Sequence, residues 1–138
     1  MNRQMLISKL REAGLKATAQ RLEICRLILQ SKDHPTAERI FQKMRGRFPT
    51  ISLATVYQTL HLLMELGLLQ ELGLPSMSTR YDPNITPHIN VICQRCGRIY
   101  DYEAEKVKET WNRLVSDIRI KTQGQRLDLY SYCEKCSI

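Results

Sequence analysis

Apolar residues recur every three or four positions from the start of the chain to residue 66, which is the spacing of amphipathic helices. Four helices are predicted, over residues 3–13, 19–31, 37–47 and 53–66. The side chains expected to face a core are Met5, Leu6, Leu10, Ala13, Leu22, Cys25, Ile28, Leu29, Ile40, Phe41, Met44, Leu53, Val56, Leu60 and Leu63. The first half of the chain is therefore expected to be largely helical.

Polar residues and glycines mark the ends of these helices. Thr18, Thr36 and Ser52 each stand directly before a helix, where a hydroxyl oxygen can accept a hydrogen bond from a backbone N–H. Gly14 and Gly67 follow the first and fourth helices, where glycine favours the backbone turn that ends a helix. These signals support the boundaries independently of the apolar pattern.

A β-hairpin is predicted after the fourth helix. Its strands are residues 68–72 and 79–82, joined by a turn rich in glycine, proline and serine that includes Ser76. Helices followed by a hairpin occur in this order in a winged helix-turn-helix, where the second helix of the motif enters the DNA major groove. That helix is residues 53–66 here.

The exposed face of this fourth helix is small and polar, which permits close approach to DNA. It consists of Ala54, Thr55 and Gln58, with Tyr57 at its boundary. An ordinary amphipathic helix with a solvated polar face is the alternative interpretation. The pattern alone does not separate the two, so the charge of the chain decides.

Charge is unevenly distributed along the chain, whose net charge is +7. Residues 1–80 carry twelve Lys and Arg against six Asp and Glu, whereas residues 81–138 carry nine against eight. A basic first half favours a polyanionic partner, and double-stranded DNA is expected rather than a membrane. A merely well-solvated surface is the alternative. Because we find no run of about 18 apolar residues and no signal peptide, we expect a cytoplasmic protein.

The second half of the chain predicts a small α+β unit after a hinge. Proline at both ends makes residues 83–87 stiff, and we predict a domain on either side, 1–82 and 88–138. The elements expected after the hinge are strands 88–93 and 98–102, a helix over 103–117, and strands 118–122 and 126–132. Alternation in the first strand places His88, Asn90 and Ile92 on one face, and the helix should turn Val107, Trp111, Leu114 and Val115 inward.

Two CxxC pairs, Cys93 with Cys96 and Cys133 with Cys136, carry the clearest chemical signal. The two-residue gap lets both thiolates of a pair turn onto one ion, and four cysteines form the closed tetrahedral set of a structural Zn²⁺ site. Buried or disulfide-paired cysteines are the alternative. Cys25 lies on the apolar stripe of the second helix and is interpreted as a core residue.

An enzyme and an interaction module are the competing functional classes. A zinc deaminase needs an H-x-E motif and P-C-x-x-C, but His88 is followed by Ile89 and Asn90, and Gln94 and Arg95 fill a CxxC without a preceding proline. We also find no nucleophile and base pair. A zinc-ribbon module without a DNA role is disfavoured by the basic winged-helix half.

Taken together, these motifs resemble the ferric uptake regulator superfamily of metal-dependent transcription factors. The matching stretches are Gly14–Arg21, His34–Glu38, Ile51–Leu60, Arg80–Asp82 and the two CxxC pairs. The resemblance implies a homodimer built through the C-terminal half, a structural zinc on the four cysteines and repression at an inverted-repeat operator. It also implies DNA contacts by Tyr57 and its neighbours. We expect Ser52, Ala54, Thr55 and Gln58 at this interface, with phosphate contacts from Lys16 and Arg21.

The resemblance further places a regulatory metal site on residues from both halves of the chain. Its positions are His34, Asp82, His88, Asn90 and Asp101. Position 90 is normally histidine in the family, and an amide oxygen suits Mn²⁺ better than Fe²⁺ or Zn²⁺. We expect either weaker binding of one of these ions or a degenerate site with constitutive DNA binding. Asp101 matches the peroxide-sensing branch, but one residue does not assign a branch.

Overall fold

The computed structural model describes residues 1–75 and 77–137, so Ser76 of the predicted hairpin turn and Ile138 lie outside the described residues. The chain divides into two compact units, Met1–Asn84 and Ile85–Ile138, which we call the first and second units. Within the described part, none of the helices has both the length and the apolar character that a membrane crossing requires.

The first unit contains four helices followed by a two-stranded antiparallel hairpin. The helices are α1 (Arg3–Glu12), α2 (Ala19–Leu29), α3 (Ala37–Arg45) and α4 (Leu53–Glu65), and the strands are β1 (Gln70–Leu72) and β2 (Arg80–Asp82). All four predicted helices and the hairpin are confirmed. Each helix ends one or two residues before the predicted boundary, because capping turns use its last residues.

The predicted caps are confirmed at both ends of the helices. The hydroxyl groups of Thr18, Thr36 and Ser52 accept hydrogen bonds from backbone N–H groups three residues ahead, at 3.2, 3.1 and 3.1 Å. Gly14 and Gly67 have φ of 76° and 71°, the left-handed region that glycine enters without a steric penalty. Both close the same type of helix-ending turn, in which the next residue donates back five positions, at 2.9 Å in each case.

The core of the first unit lies where the four helices meet. Leu10, Ile28, Ile40 and Leu60 are fully or almost fully buried in it. Cys25 belongs to this core as predicted, and burial raises the pKa of its thiol to about 12, so it stays an inert thiol.

The expected stripe of α1 is wrong at two positions, because Met5 is 52% exposed and Ala13 is also exposed.

The second unit is a three-stranded mixed sheet and one helix. Its elements are β3 (Ile89–Cys93), β4 (Ile99–Tyr102), α5 (Glu105–Ile118) and β5 (Leu127–Ser131). The central strand β3 runs antiparallel to β4 and parallel to β5, which returns to the sheet after α5. The predicted face of β3 is confirmed, since His88, Asn90 and Ile92 are all buried.

Two expectations for the second unit are wrong. Residues 118–122 form no strand: α5 continues through Ile118, Arg119 ends it at φ 61°, and Ile120 is 63% exposed. Their alternating pattern has no neighbouring strand in the described chain with which to pair. Leu114 does not turn inward but is 47% exposed, and none of the fourteen residues of α5, all of them described, is buried. The described residues therefore cover the apolar side of this helix only in part, leaving Val107, Trp111 and Val115 half-buried.

Matched substitutions on α1 test the revised core. Leu10→Ala should lower the free energy of unfolding by ~2–5 kcal/mol, because it leaves a cavity in a packed core. Met5→Ala on the same helix should change it by less than ~0.5 kcal/mol, as surface substitutions usually do. Urea unfolding followed by circular dichroism measures both values at one protein concentration. Equal losses for the two variants would contradict the assignment of the buried face.

Candidate metal centre and nucleic-acid interface

The four cysteines of the CxxC pairs come together in the second unit. Cys93 ends β3, Cys96 follows in a tight turn closed by Gly97, and Cys133 and Cys136 follow β5. Each Sγ atom lies within 4.8 Å of the others, and those of Cys96 and Cys133 are 3.7 Å apart. Because β5 pairs directly with β3, the sheet itself brings the two distant pairs together.

The geometry of this cluster fits a tetrahedral Zn²⁺ ion. A tetrahedron with Zn–S bonds of about 2.3 Å has edges of ~3.8 Å, close to the 3.7 Å separation of Cys96 and Cys133. All four cysteines are free thiols, so the disulfide alternative is not what the structure contains. With four sulfur ligands and no open position, the site is structural rather than catalytic.

Backbone groups favour the thiolate form of Cys93, whereas the hydrogen bond with Cys133 raises the pKa of the Cys136 thiol to about 12. N–H groups of Cys96 and then Cys133 direct hydrogen bonds at the sulfur of Cys93 and lower the pKa of its thiol to about 5, against the opposing effect of burial. The backbone N–H of Cys133 lies 3.3 Å from that sulfur. The second pair sits in a similar turn, in which the N–H groups of Cys136 and Ser137 donate to the Cys133 carbonyl at 2.9 and 2.8 Å.

Two of the predicted regulatory ligands, His34 and Asp82, meet inside the first unit. His34 Nε2 lies 3.5 Å from Asp82 Oδ2, and both side chains are 2% exposed. Asp82 ends β2, and its other carboxylate oxygen accepts a hydrogen bond from the backbone N–H of Asn84 at 2.9 Å. Imidazole nitrogen and carboxylate oxygen are donor types that one divalent ion can bind together.

Arg80 holds the loop that carries His34. Its guanidinium donates to the backbone carbonyls of His34 and Asp33, the latter at 2.8 Å, while the N–H of Tyr81 donates to the Pro35 carbonyl at 3.0 Å. His34 has φ of 50°, an uncommon value for a residue other than glycine. The hairpin therefore fixes a strained histidine beside Asp82.

The other three predicted regulatory ligands meet inside the second unit. His88 Nε2 lies 3.0 Å from Asn90 Oδ1 and 3.5 Å from Asp101 Oδ1. His88 and Asn90 are buried, and Asn90 pairs with Asp101 across the sheet. The structure thus forms one group of regulatory ligand positions in each unit.

The exposed face of α4 matches the face predicted to contact DNA. Ala54 and Gln58 are exposed, and Thr55 is half-buried beside the capping hydroxyl of Ser52, whose oxygen lies 2.9 Å from that of Thr55. Tyr57 is half-buried, and its hydroxyl donates to Glu38 at 2.8 Å, which raises the pKa of the phenol. That bond ties the predicted recognition helix to the start of α3.

Lys16 and Arg21 lie at the loop between α1 and α2. Lys16 is exposed, while Arg21 is half-buried and donates through its guanidinium to the Lys16 carbonyl. Arg21 therefore shapes the loop that presents Lys16, a structural role that the sequence did not reveal. Its remaining N–H donors leave it chemically able to contact a phosphate as well.

Several residues that shape these sites had no role in the sequence-based prediction. Glu38 fixes Tyr57, Arg80 fixes the His34 loop, and Asp128 on β5 accepts a hydrogen bond from Asn90 Nδ2 at 3.1 Å. Glu38 and Arg80 stand in motifs that the sequence did single out. Nothing in the sequence pointed to Asp128, because its contact with Asn90 depends on parallel pairing between strands that are distant in the chain.

Comparisons with known proteins agree with this architecture. The ferric uptake regulator family model matches residues 12–130. The peroxide-responsive repressor PerR of Staphylococcus epidermidis is 34% identical over 130 residues, covering 94% of this chain and 87% of that protein. PerR of Staphylococcus aureus is also 34% identical, over 94% of this chain and 88% of that protein.

Solved structures show the same fold. The peroxide stress regulator of Campylobacter jejuni has a TM-score of 0.76 at 34% identity, covering 95% of this chain and 98% of that one. The ferric uptake regulator of Helicobacter pylori has a TM-score of 0.80 at 23% identity, covering 96% and 89%, and this second likeness concerns the fold alone. Since the family model spans most of the chain and relatives of 34% identity cover nearly all of it, this protein belongs to the ferric uptake regulator family.

Proposed function

We propose that this protein is a metal-responsive repressor that binds an inverted-repeat DNA operator as a homodimer. The observation that carries the proposal is the pair of ligand groups: His34 with Asp82 in the first unit, and His88 with Asn90 and Asp101 in the second. One divalent ion that takes ligands from both groups makes the conformation of the dimer depend on metal. Its relatives include peroxide-responsive repressors, which supports the repressor class.

DNA binding is assigned to the first unit. Its α3 and α4 form the helix-turn-helix and pack against each other, and α3 exposes the basic side chains of Arg39, Lys43 and Arg45. Lysine and arginine on one unit supply the phosphate contacts from which most DNA affinity comes. The small side chains Ala54 and Thr55 leave room for Tyr57 and Gln58 to reach bases or backbone.

Dimerisation is assigned to the second unit. Large apolar side chains are about half or more exposed there: Tyr100, Tyr102, Leu114, Ile118, Ile120, Leu129, Tyr130 and Tyr132. Tyr100 and Leu129 both pair with Val91 and so share one face of the sheet, and exposed apolar side chains in this number are typical of a protein–protein interface. A two-fold dimer then presents two α4 helices to successive major grooves, about 34 Å apart.

The regulatory ion would act through linkage between metal binding and DNA binding. If the ion binds the DNA-competent conformation more tightly than other conformations, it raises the population of that conformation and hence DNA affinity. His34 and His88 supply imidazole nitrogens, Asp82 and Asp101 carboxylate oxygens, and Asn90 an amide oxygen. Such an oxygen-rich set suits Mn²⁺ better than Fe²⁺ or Zn²⁺. A constitutive regulator with a degenerate site is the competing function, and the departure at Asn90 favours it.

Loss of one cysteine tests the structural zinc. Cys136→Ser should reduce zinc from one ion per chain to none and unfold the second unit or dissociate the dimer. Structural zinc contributes roughly 10–16 kcal/mol of apparent binding energy, comparable with the ~5–15 kcal/mol stability of a whole domain. Metal analysis and analytical ultracentrifugation measure the two outcomes. Cys25→Ala is the control, since it removes a thiol from the first unit and should keep the zinc; a folded, dimeric, zinc-loaded Cys136→Ser protein would contradict the site.

Salt-dependent DNA binding tests the proposed interface. Lys16→Ala should weaken binding to all duplex sequences about equally and reduce the slope of log K against log salt by about one unit, as expected for one lost phosphate contact. Tyr57→Ala should weaken operator binding more than binding to random DNA. Lys106→Ala, which removes the same charge from the second unit, serves as the control. Wild-type operator affinity in both Tyr57→Ala and Arg21→Ala would show that α4 is not the recognition helix.

Metal titration of the zinc-loaded dimer tests regulation. Wild type should bind one further Mn²⁺ or Fe²⁺ per chain with a rise in operator affinity, and His88→Ala should bind it at least ~10-fold more weakly because a ligand is lost. Asn90→His should bind Fe²⁺ and Zn²⁺ more tightly than wild type, since imidazole is the better donor for both. His61→Ala removes an exposed histidine of α4 and controls for metal uptake. The sensing function fails if Asn90→His binds no tighter and His88→Ala changes neither metal uptake nor operator affinity.

A further inference from the structure

Asn90 lies in the middle of the second unit's sheet with an aspartate on each side. It pairs with Asp101 on β4 and with Asp128 on β5, and residues paired in register project on the same side of a sheet. The asparagine is 1% exposed, so both ends of its amide must find partners inside the protein. The amide nitrogen can face one aspartate and the amide oxygen the other, and only the oxygen can bind a cation. The orientation of the amide therefore decides whether Asn90 can be a metal ligand.

One oxygen of the Asp128 carboxylate has a cation and a hydroxyl donor beside it. Arg126 Nη2 lies 2.8 Å from its Oδ2, and the Tyr130 hydroxyl donates to the same oxygen at 3.3 Å. The remaining oxygen, Oδ1, accepts from Asn90 Nδ2 at 3.1 Å. A flipped amide would bring its oxygen against the carboxylate with no proton between them. A hydrogen bond to a charged acceptor is roughly twice as strong as a neutral one, so the amide nitrogen stays on Asp128.

The amide oxygen consequently faces His88. The Nδ1 atom of His88 is 2.7 Å from the Thr86 carbonyl, so this nitrogen must carry the proton that the carbonyl accepts. Nε2 is then the ring nitrogen that can bind an ion. It lies 3.0 Å from Asn90 Oδ1 and 3.5 Å from Asp101 Oδ1, so one atom from each of the three predicted ligands converges on the same place. One divalent cation could contact all three.

From this arrangement we propose that Asp128 is a positioning residue for the regulatory metal site. It holds the Asn90 oxygen toward the ion. Because of this, asparagine in place of the usual histidine changes which metal the site prefers and does not abolish the site. The donors that meet here are one imidazole nitrogen, one amide oxygen and one carboxylate oxygen, which is an oxygen-rich set. Octahedral, oxygen-rich coordination suits Mn²⁺ better than Zn²⁺. This inference rests on the proposed function.

Asp128→Asn tests the inference, because it keeps the shape of the side chain but can bond either end of the Asn90 amide. The probe is Mn²⁺ added to the zinc-loaded dimer, with free Mn²⁺ measured by electron paramagnetic resonance. We expect Mn²⁺ binding to weaken by about 10-fold, the lower end of the range for loss of a ligand's supporting partner. Binding of an additional Zn²⁺ ion should weaken much less, since Zn²⁺ accepts fewer ligands. The Mn²⁺-to-Zn²⁺ affinity ratio therefore falls, which general destabilisation would not produce.

Further variants separate positioning from other roles. In an Asn90→Ala background, Asp128→Asn should have almost no additional effect on Mn²⁺ binding, because there is no amide left to orient. Asp117→Asn, the same change at an exposed position of α5, should leave Mn²⁺ binding as in wild type. If Asp128→Asn does not fold, Arg126→Gln removes the cation that holds Asp128 and should give a smaller loss in the same direction.

The possible failures are distinguishable. If wild type binds Mn²⁺ but a folded, zinc-loaded Asp128→Asn dimer binds it equally well, the positioning role is wrong and the proposed function stands. A full 10-fold loss that persists in the Asn90→Ala background also overturns the positioning role, because Asp128 then acts without the amide. If wild type takes up no ion beyond the structural zinc, the regulatory site of the proposed function fails, and this inference fails with it.

Discussion

The second unit depends on the cross-link between its first strand and the end of the chain. Among its described residues, the buried apolar side chains are only Ile92, Cys93 and Ile99. So few buried groups cannot offset the conformational entropy of ordering about fifty residues. The four-cysteine cluster joins the turn after β3 to the turn after β5, and a Zn²⁺ ion there replaces the missing core with coordination bonds. The sheet that carries His88, Asn90 and Asp101 is therefore only as rigid as this cluster.

The sequence predicted most of the first unit because local signals and packing agree there. Apolar periodicity, hydroxyl caps and terminating glycines specify the same four helices, and consistency across these levels makes a fold predictable. The core residues that were predicted wrongly are those for which apolar periodicity was the only signal. Met5 follows the stripe of α1 but lies outside the helix contacts, which only the packing of α1 on its neighbours determines.

The second unit was less predictable because its order comes from distant pairing. Residues 118–122 alternate like a strand, yet a strand requires a neighbour, and local sequence does not say whether one is available. The apolar stripe of α5 was evident from its spacing, but the spacing did not show that the described chain covers this stripe only in part. Of the sites, the cysteine cluster was evident from spacing alone. The contact of Asp128 with Asn90 was not, since it depends on parallel register between strands almost forty residues apart.

Arg80 gives the His34 loop an energetic property as well as a shape. A residue other than glycine at positive φ costs of order 1–3 kcal/mol, and the hairpin meets that cost when the first unit folds. In the proposed regulatory site, an incoming ion would find His34 and Asp82 already close together, so little chain entropy would be lost in gathering them. A set of ligands binds an ion more tightly when its side chains already hold the required positions before the ion arrives. Loosening the hairpin would keep both of these proposed ligands and still weaken the binding of an ion to them.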